Sequence, residues 1–304
     1  MATDMHRIDI ADLDCIFLTY DEPKKEEFWV KISNMIPWAK RVDGVKGSDS
    51  AHKAAAEKSE TDRFILIDGD NLPDKEFFDL YLTLDDTNKD CVFRWKARNS
   101  VNGLMYGNGG ISCWTKEFAM NMKTHENSEG SDDTDVEFCF DSKYIPMHNC
   151  YSTSFINDSN FQAWRAGFRE GIKLALNRGK KVECITRDIP KRNLDHLCIW
   201  QSVGTDVKNG QWSILGARMG TYYTMLDNSW DYKKVQDFDE LSKFWQSADF
   251  NQDFFGELTK NLGLPIVNYT PTQSKFFKHH YEKTQHNLDI MVKEIDVIRE
   301  NEKW

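Results

Sequence analysis

The chain lacks three features that would each restrict its class: an apolar run long enough to cross a membrane, closely spaced cysteine pairs, and an internal repeat. Without such a run, a membrane-spanning protein is not expected, and the polar, acidic start is unlike a secretory signal. Seven cysteines are scattered without a Cys-x-x-Cys pair. They indicate reduced, mostly buried thiols and a cytoplasmic location.

Charge is unevenly distributed along the chain, although the net charge of −10 argues against a general binder of polyanions. Residues 161–192 carry nine basic and three acidic side chains. The basic ones are Arg165, Arg169, Lys173, Arg178, Lys180, Lys181, Arg187, Lys191 and Arg192. Residues 126–141 carry seven carboxylates and no basic residue. Two such unlike blocks indicate two segments with different roles.

Hydrophobic residues make up 40% of the 304-residue chain, enough for one large domain or two modest ones. Strands are predicted at Cys15–Tyr20, Arg41–Val45, Phe64–Ile67 and Cys91–Trp95, and helices at Lys24–Met35, Ser50–Ser59, Pro73–Leu84 and Thr115–Met122. This alternation predicts an α/β fold with a mainly parallel sheet and helices on both faces. Residues 1–155 would form this domain, and residues 156–304 a mostly helical part.

The segment Arg63–Asn71 joins four consecutive apolar residues to Asp68, Gly69 and Asp70. The apolar run is typical of a strand buried on both faces, so the carboxylates would follow the strand end, where open α/β sheets bind ligands. Two carboxylates separated by a glycine can hold Mg²⁺ or Mn²⁺ against phosphate oxygens. The same residues also suit an ordinary turn, so both interpretations stay open.

A helix is predicted from Asn160 to Gly179, with one apolar stripe. On this helix Arg165, Arg169 and Lys173 are spaced four residues apart and form one cationic row. Such a row can follow phosphates. A solvated outer face also accounts for it.

The stretch Arg94–Trp114 is dense in glycine, amide and aromatic residues. Its candidate ligand-binding residues are Trp95, Arg98, Asn99, Asn102, Tyr106, Asn108, Gly109, Gly110 and Trp114. Glycines let a ligand approach the backbone, amides supply donors and acceptors, and aromatic rings offer flat faces for a sugar or base. A glycine-rich hairpin would explain the glycines but not the other residues, so a recognition loop is favoured.

The acidic block contains candidates for acid–base chemistry. Asp133, Asp135 and Glu137 alternate along the chain, so a strand there would direct all three to one side. A carboxylate of this group can take the acceptor proton in an inverting sugar transfer, and surface charge is the alternative role. His148 is a candidate nitrogen ligand for the same metal, with a structural role as the alternative.

The order of these features resembles GT-A-type nucleotide-sugar glycosyltransferases. The matching features are the strand Cys15–Tyr20 followed by Asp21, the basic strand Arg41–Val45, His52-Lys53-Ala54, and Phe64–Asn71. The resemblance implies that Asp68 and Asp70 bind a divalent cation and the donor diphosphate. It places Thr19, Tyr20 and Asp21 against the nucleotide base and ribose, Gly107–Gly110 with Trp114 in a donor/acceptor loop, an acid of Asp133–Glu137 near the acceptor, and His148 in the metal shell.

A narrower resemblance is to phage glycosyltransferases associated with hydroxymethylated-pyrimidine DNA. It rests on Asn102–Gly110, on His125-Glu126, and on Gln162–Gly171. It implies transfer from a UDP-linked sugar to the hydroxymethyl group of a base of the 5-hydroxymethylcytosine type, in the host cytoplasm. The basic window would then contact double-stranded DNA, and aromatic residues would hold an extruded base.

The sequence therefore predicts a metal-dependent glycosyltransferase with a modified DNA base as the preferred acceptor. Three alternatives are a transferase acting on a surface carbohydrate or protein, a sugar-phosphate nucleotidylyltransferase, and a non-catalytic virion or scaffolding protein that kept the fold. The nucleotidylyltransferase needs a glycine-rich phosphate loop after the first strand, and Tyr20-Asp21-Glu22-Pro23 is nothing like one.

Overall fold

The computed structural model describes residues 5–123 and 143–284. Its strands are β1 (His6–Asp9), β2 (Asp14–Thr19), β3 (Lys40–Asp43), β4 (Arg63–Asp68), β5 (Asn71–Pro73), β6 (Tyr81–Leu84), β7 (Val92–Asn99), β8 (Met105–Thr115) and β9 (Tyr144–Ser154). Its helices are α1 (Lys25–Met35), α2 (Ser48–Lys58), α3 (Lys116–Asn121), α4 (Asn160–Leu174), α5 (Ile185–Asp188), α6 (Lys191–Trp200), α7 (Gly210–Met225), α8 (Phe238–Ser247) and α9 (Gln252–Asn261). Residues 271–284 form a further helical segment.

A seven-stranded sheet in the order β3-β2-β4-β8-β7-β9-β5 forms the centre of the first half. β2 is parallel to β3 and β4, and β7 is parallel to β9. β8 is antiparallel to β4 and β7, and β5 is antiparallel to β9. The sheet is thus mixed where the sequence predicted a mainly parallel one. Residues 100–104 alone connect β7 to β8, and so short a connection permits only an antiparallel pair.

Alternate side chains of the central strands fill two cores on opposite faces of the sheet. Phe17 and Ile65 belong to the core that α1 covers. Ile16 and Leu66 belong to the core that α2 and α3 cover. Because neighbouring residues of a strand point to opposite faces, the continuous apolar run is explained by burial on both sides. The expected α/β class and the helices on both faces are confirmed.

The prediction of a helix from Pro73 to Leu84 is wrong. Residues 71–73 instead form β5, a short 3₁₀ helix spans Lys75–Asp79, and residues 81–84 form β6, which pairs with β1. The Asp74 amide donates to the Tyr151 carbonyl at 2.7 Å. Pairing with β9, which is distant in sequence, therefore outweighs the local helix signal.

The chain after β9 is mostly helical, as predicted. α4 begins behind Ser159, whose hydroxyl accepts from the Gln162 amide, and it ends at Leu174 rather than at Gly179. Its buried face packs on α7 and α8, and the rings of Trp164 and Phe168 lie 4.8 Å apart. This aromatic packing provides the helical part with a core of its own.

The six cysteines in the described ranges are free thiols, and Cys15, Cys91 and Cys113 are buried. Over the same ranges, every helix is too short or too polar to cross a lipid bilayer.

Candidate functional site

Three carboxylates converge where the parallel strands β2 and β4 end. Leu18 and Asp68 are direct partners in the β2–β4 ladder, so the residues that follow the two strands are neighbours. The Glu22 carboxylate packs against Gly69, because a Cβ added to that glycine would lie 2.6 Å from Glu22 Cδ. Glu22 therefore joins Asp68 and Asp70, and we call these three residues the acidic centre.

The surrounding protein disfavours negative charge on all three members. The pKa of Asp68 is raised to about 8, first by desolvation and then by the charges of Asp70 and Glu22. Desolvation also raises the pKa values of Glu22 and Asp70. Asp68 itself is exposed to solvent. A carboxylate that is exposed and still desolvated has protein atoms on most sides and solvent on one side. We call this open side of the acidic centre the cleft.

The orientation of Asp70 is fixed by a chain of hydrogen bonds from the opposite edge of the sheet. Ser152 Oγ donates to Asn71 Oδ1 at 3.1 Å, and Asn71 Nδ2 donates to Asp70 Oδ1 at 2.8 Å. Gly110 has φ of +79°, and a Cβ there would lie 2.1 Å from Asn71 Nδ2. The glycine thus leaves the space that the amide occupies. Such supporting hydrogen bonds hold a functional side chain in one geometry.

Two members of the predicted cationic row face the acidic centre. The charges of Arg165 and Arg169 lower the pKa of Asp70 against the larger effect of desolvation. Arg165 also forms an ion pair with Asp21, with 3.6 Å between Nη1 and Oδ2. Lys173 lies further along the helix and pairs with Glu170, with 2.6 Å between Nζ and Oε1. The first two cations therefore belong to the cleft and do not form a solvated outer face.

The donor set suits a divalent cation that takes part of its coordination from a ligand. Hard oxygen ligands are what Mg²⁺ and Mn²⁺ prefer, and Mg²⁺ is commonly held by one or two carboxylates together with substrate phosphates. Within residues 5–123 and 143–284, no three His, Cys, Asp or Glu side chains are close enough to hold a metal alone. His148 is exposed on β9, and the structure does not bring it into such a group with Asp68 and Asp70.

The predicted nucleotide-facing residues at the end of β2 fall into two kinds. Thr19 is buried, and its hydroxyl donates to Asp43 Oδ1 at 2.7 Å and accepts from Arg41 Nε at 3.0 Å. Thr19 therefore holds β2 to β3. Tyr20 is 43% exposed, and its amide donates to Glu22 Oε2 at 2.8 Å. The Tyr20 ring is thus the accessible aromatic face beside the acidic centre.

Most of the predicted recognition loop is a β-hairpin. Trp95 and Trp114 are 3% and 1% exposed and pack in the cores, so neither presents a face to a ligand. The Asn99 side chain accepts from the Val101 amide, and the Asn102 side chain accepts from the Leu104 amide, both within the turn. The alternative interpretation as a glycine-rich hairpin thus describes the backbone. Of the other members, Gly109 packs against the backbone of β7, Arg98 pairs with Glu282 at 3.0 Å, and the side chain of Asn108 is not described.

Tyr106 joins the hairpin to the helical part through a buried polar cluster. Its hydroxyl donates to Glu170 of α4 and accepts from Trp200 Nε1 of α6 at 2.6 Å. Its ring lies 4.3 Å from that of His196, whose pKa burial lowers to about 4. Burial alone would raise the pKa of Glu170, but Lys173 and Tyr106 outweigh it and the pKa is lowered. Tyr106 therefore joins the hairpin to α4 and α6, and Lys173 compensates the buried charge of Glu170.

The candidate acids Asp133, Asp135 and Glu137 lie outside the described residues. The sequence did not indicate three residues that form or support the site: Glu22, Asn71 and Ser152. The position of Glu22 soon after β2, like that of Asp70 after β4, was a usable signal. Ser152 gave none, because β9 brings it to Asn71 from a distant part of the chain.

Comparison with known proteins found no matching family model, no matching curated protein and no matching solved structure.

Proposed function

We propose that this protein is a metal-dependent glycosyltransferase of GT-A type that moves a sugar from a nucleoside diphosphate to a hydroxyl group. The supporting observation is that Arg165 and Arg169 lie beside the acidic centre at the ends of parallel strands. A cation–diphosphate pair carries both signs of charge and needs both kinds of partner. A turn without a ligand would not require two arginines next to desolvated carboxylates.

Each group in the cleft has a separate role in this proposal. A bound divalent cation would neutralise the diphosphate as it departs. Asp68 and Asp70 would hold that cation, and the arginines would bind the remaining phosphate charge. The exposed ring of Tyr20 would stack on the base of a UDP-linked sugar, with Asp21 near the ribose.

The acceptor we propose is a hydroxymethylated pyrimidine in double-stranded DNA. Residues 178–192 support it, since all six basic side chains there are exposed and the segment contains only two acidic residues. The six are Arg178, Lys180, Lys181, Arg187, Lys191 and Arg192. Several of them already have acidic partners, such as Asp188 for Arg187 and Asp195 for Lys191. Exposed ion pairs of this kind are weak, so they can be exchanged for phosphates.

The direct test is to incubate the protein and Mn²⁺ with a panel of nucleotide sugars and either plain or hydroxymethylated DNA. The DNA is then digested and the nucleosides are weighed. We expect a mass increase of one sugar on the modified DNA alone. Asp70→Asn, which keeps the size of the side chain, should remove turnover while the protein stays folded. Full activity in that variant would contradict the metal role.

Two outcomes of this experiment point to the alternatives. Release of a nucleoside diphosphate without any change in the DNA, together with no DNA binding at low salt, would favour a carbohydrate or protein acceptor. Failure to bind any nucleotide sugar, with thermal stability unaffected by metal, would favour the non-catalytic protein.

A further inference from the structure

An exposed phenylalanine of the helical part lies against both arginines of the cleft. Phe238 is the first residue of α8 and is 39% exposed. The guanidinium carbon of Arg165 lies 4.4 Å from the centre of its ring, and that of Arg169 lies 5.1 Å away. A large apolar side chain in contact with solvent and two cations does not serve the core. Its ring instead makes cation–π contacts with the two guanidinium groups.

The position of Phe238 is set by contacts on both sides of it in the sequence. Asp237 caps α8 by accepting from the Glu240 amide at 3.0 Å, and Gln236 accepts from Arg169. Asp239 reaches Lys46, in the loop after β3, with 3.0 Å between Oδ2 and Nζ. The segment 236–239 thus contacts the arginines and also the sheet half of the molecule.

The contact of Phe238 with both arginines reduces an electrostatic repulsion within α4. Arg165 and Arg169 are like charges four residues apart on one helix face, a spacing that destabilises a helix. A ring beside them offsets part of this repulsion, because its face attracts cations. Stacking also directs the N–H donors of a guanidinium outward in its own plane, where a phosphate can accept them in a bidentate manner.

We infer that Phe238 is a positioning residue that holds Arg165 and Arg169 in the geometry that binds the diphosphate of the substrate. This inference rests on the proposed function, and it adds a residue from α8 to a site whose carboxylates lie at or after the ends of β2 and β4 and whose arginines lie on α4. Phe238 does not contact the reacting atoms. It acts through the two guanidinium groups.

The test measures the binding of inorganic pyrophosphate in the presence of Mn²⁺ by calorimetry, so that neither sugar nor acceptor is needed. Phe238→Leu keeps an apolar side chain but removes the ring, and Phe238→Tyr keeps the ring. We expect Phe238→Leu to weaken pyrophosphate binding about fivefold. We expect Phe238→Tyr to bind like the unaltered protein. The matched control is Phe276→Leu, at a ring that is 65% exposed and contacts neither arginine, and it should bind normally.

The possible results separate this inference from the proposed function. Normal binding by Phe238→Leu, or equal weakening by the Leu and Tyr variants, would overturn the positioning role and leave the proposed function standing. Failure of the unaltered protein to bind pyrophosphate with Mn²⁺ would overturn the donor site and the inference together. A thermal unfolding scan of each variant shows whether the change is confined to binding.

Discussion

The fold places the three carboxylates of the acidic centre in surroundings that disfavour their charged forms. Without a cation, desolvation raises the pKa values of Asp68, Asp70 and Glu22, and the charges of Asp70 and Glu22 raise that of Asp68 further. The charges of Arg165 and Arg169 offset part of this increase for Asp70. A bound cation would relieve the remaining repulsion. The acidic centre therefore favours cation binding and lowers the stability of the metal-free protein.

At the residue scale we predict that the metal-free protein loses stability as pH rises. The folded-state pKa of Asp68 is about 8, against an ordinary value of 3.8, so the folded state holds the proton more tightly than the unfolded state. The destabilisation is absent below pH 4, grows between pH 4 and 8, and is complete above that range. The asparagine side chain of the Asp68→Asn variant does not titrate. Between pH 4 and 8.5 the free energy of unfolding of this variant should therefore gain about 1 kcal/mol relative to the unaltered protein, after allowance for solvent screening.

Urea unfolding at several pH values, with a chelator present, measures this effect. The control is Asp85→Asn, because Thr87 hydrogen bonds lower the pKa of Asp85 and both states are ionised above pH 5. Its effect should therefore be constant from pH 5 to 8.5. A difference in the free energy of unfolding between Asp68→Asn and the unaltered protein that is independent of pH would contradict the raised pKa of Asp68.

At the element scale, the position of the arginines depends on how closely α4 packs against α7. Gly167 and Gly171 of α4 and Gly216 and Gly220 of α7 contact the backbone of the facing helix. Small residues let two helix axes approach, and the close crossing fixes the rotation of α4. With its buried face held on α7, the helix directs Arg165 and Arg169 toward Asp70.

We predict that Gly167→Ala destabilises the protein by about 3 kcal/mol, since the added Cβ would lie 1.9 Å from the Ser213 carbonyl oxygen. The backbone of α7 cannot rotate away as a side chain can. In Gly256→Ala, the matched control in α9, the new Cβ would meet only the end of the Arg218 side chain, at 2.9 Å. There the gain in helix propensity offsets the contact, and we expect a change below about 1 kcal/mol. Equal stabilities in denaturant unfolding would show that the helices can separate without cost.

At the scale of the whole molecule, the cleft is shared by the sheet and the helical part. The ion pairs Lys24–Asp158, at 2.6 Å, and Arg165–Asp21, at 3.6 Å, join the two parts beside it. A ligand in the cleft would contact both, so it would stabilise them together.

We predict that Mn²⁺ with a nucleoside diphosphate, at about 100 times the dissociation constant, stabilises the protein by about 2.7 kcal/mol. Asp70→Asn in the sheet half and Arg165→Ala in the helical half should each reduce the shift in unfolding temperature. Lys31→Ala, which removes an exposed pair with Glu27 on α1, serves as the control and should leave the shift unchanged. A full shift in Arg165→Ala would contradict the role of Arg165 in binding the diphosphate.

The sequence by itself determined the strands β2, β3 and β4, the helices between them, and the carboxylates after β4, because local periodicity reports burial on one or both faces. It also identified the cationic row. Only the tertiary structure decided that the row faces the acidic centre, that Glu22 and Phe238 belong to the cleft, and that the glycine-rich stretch is a hairpin with buried tryptophans. These depend on contacts between residues far apart in the chain, and a local pattern carries no information about which distant residue fills the space.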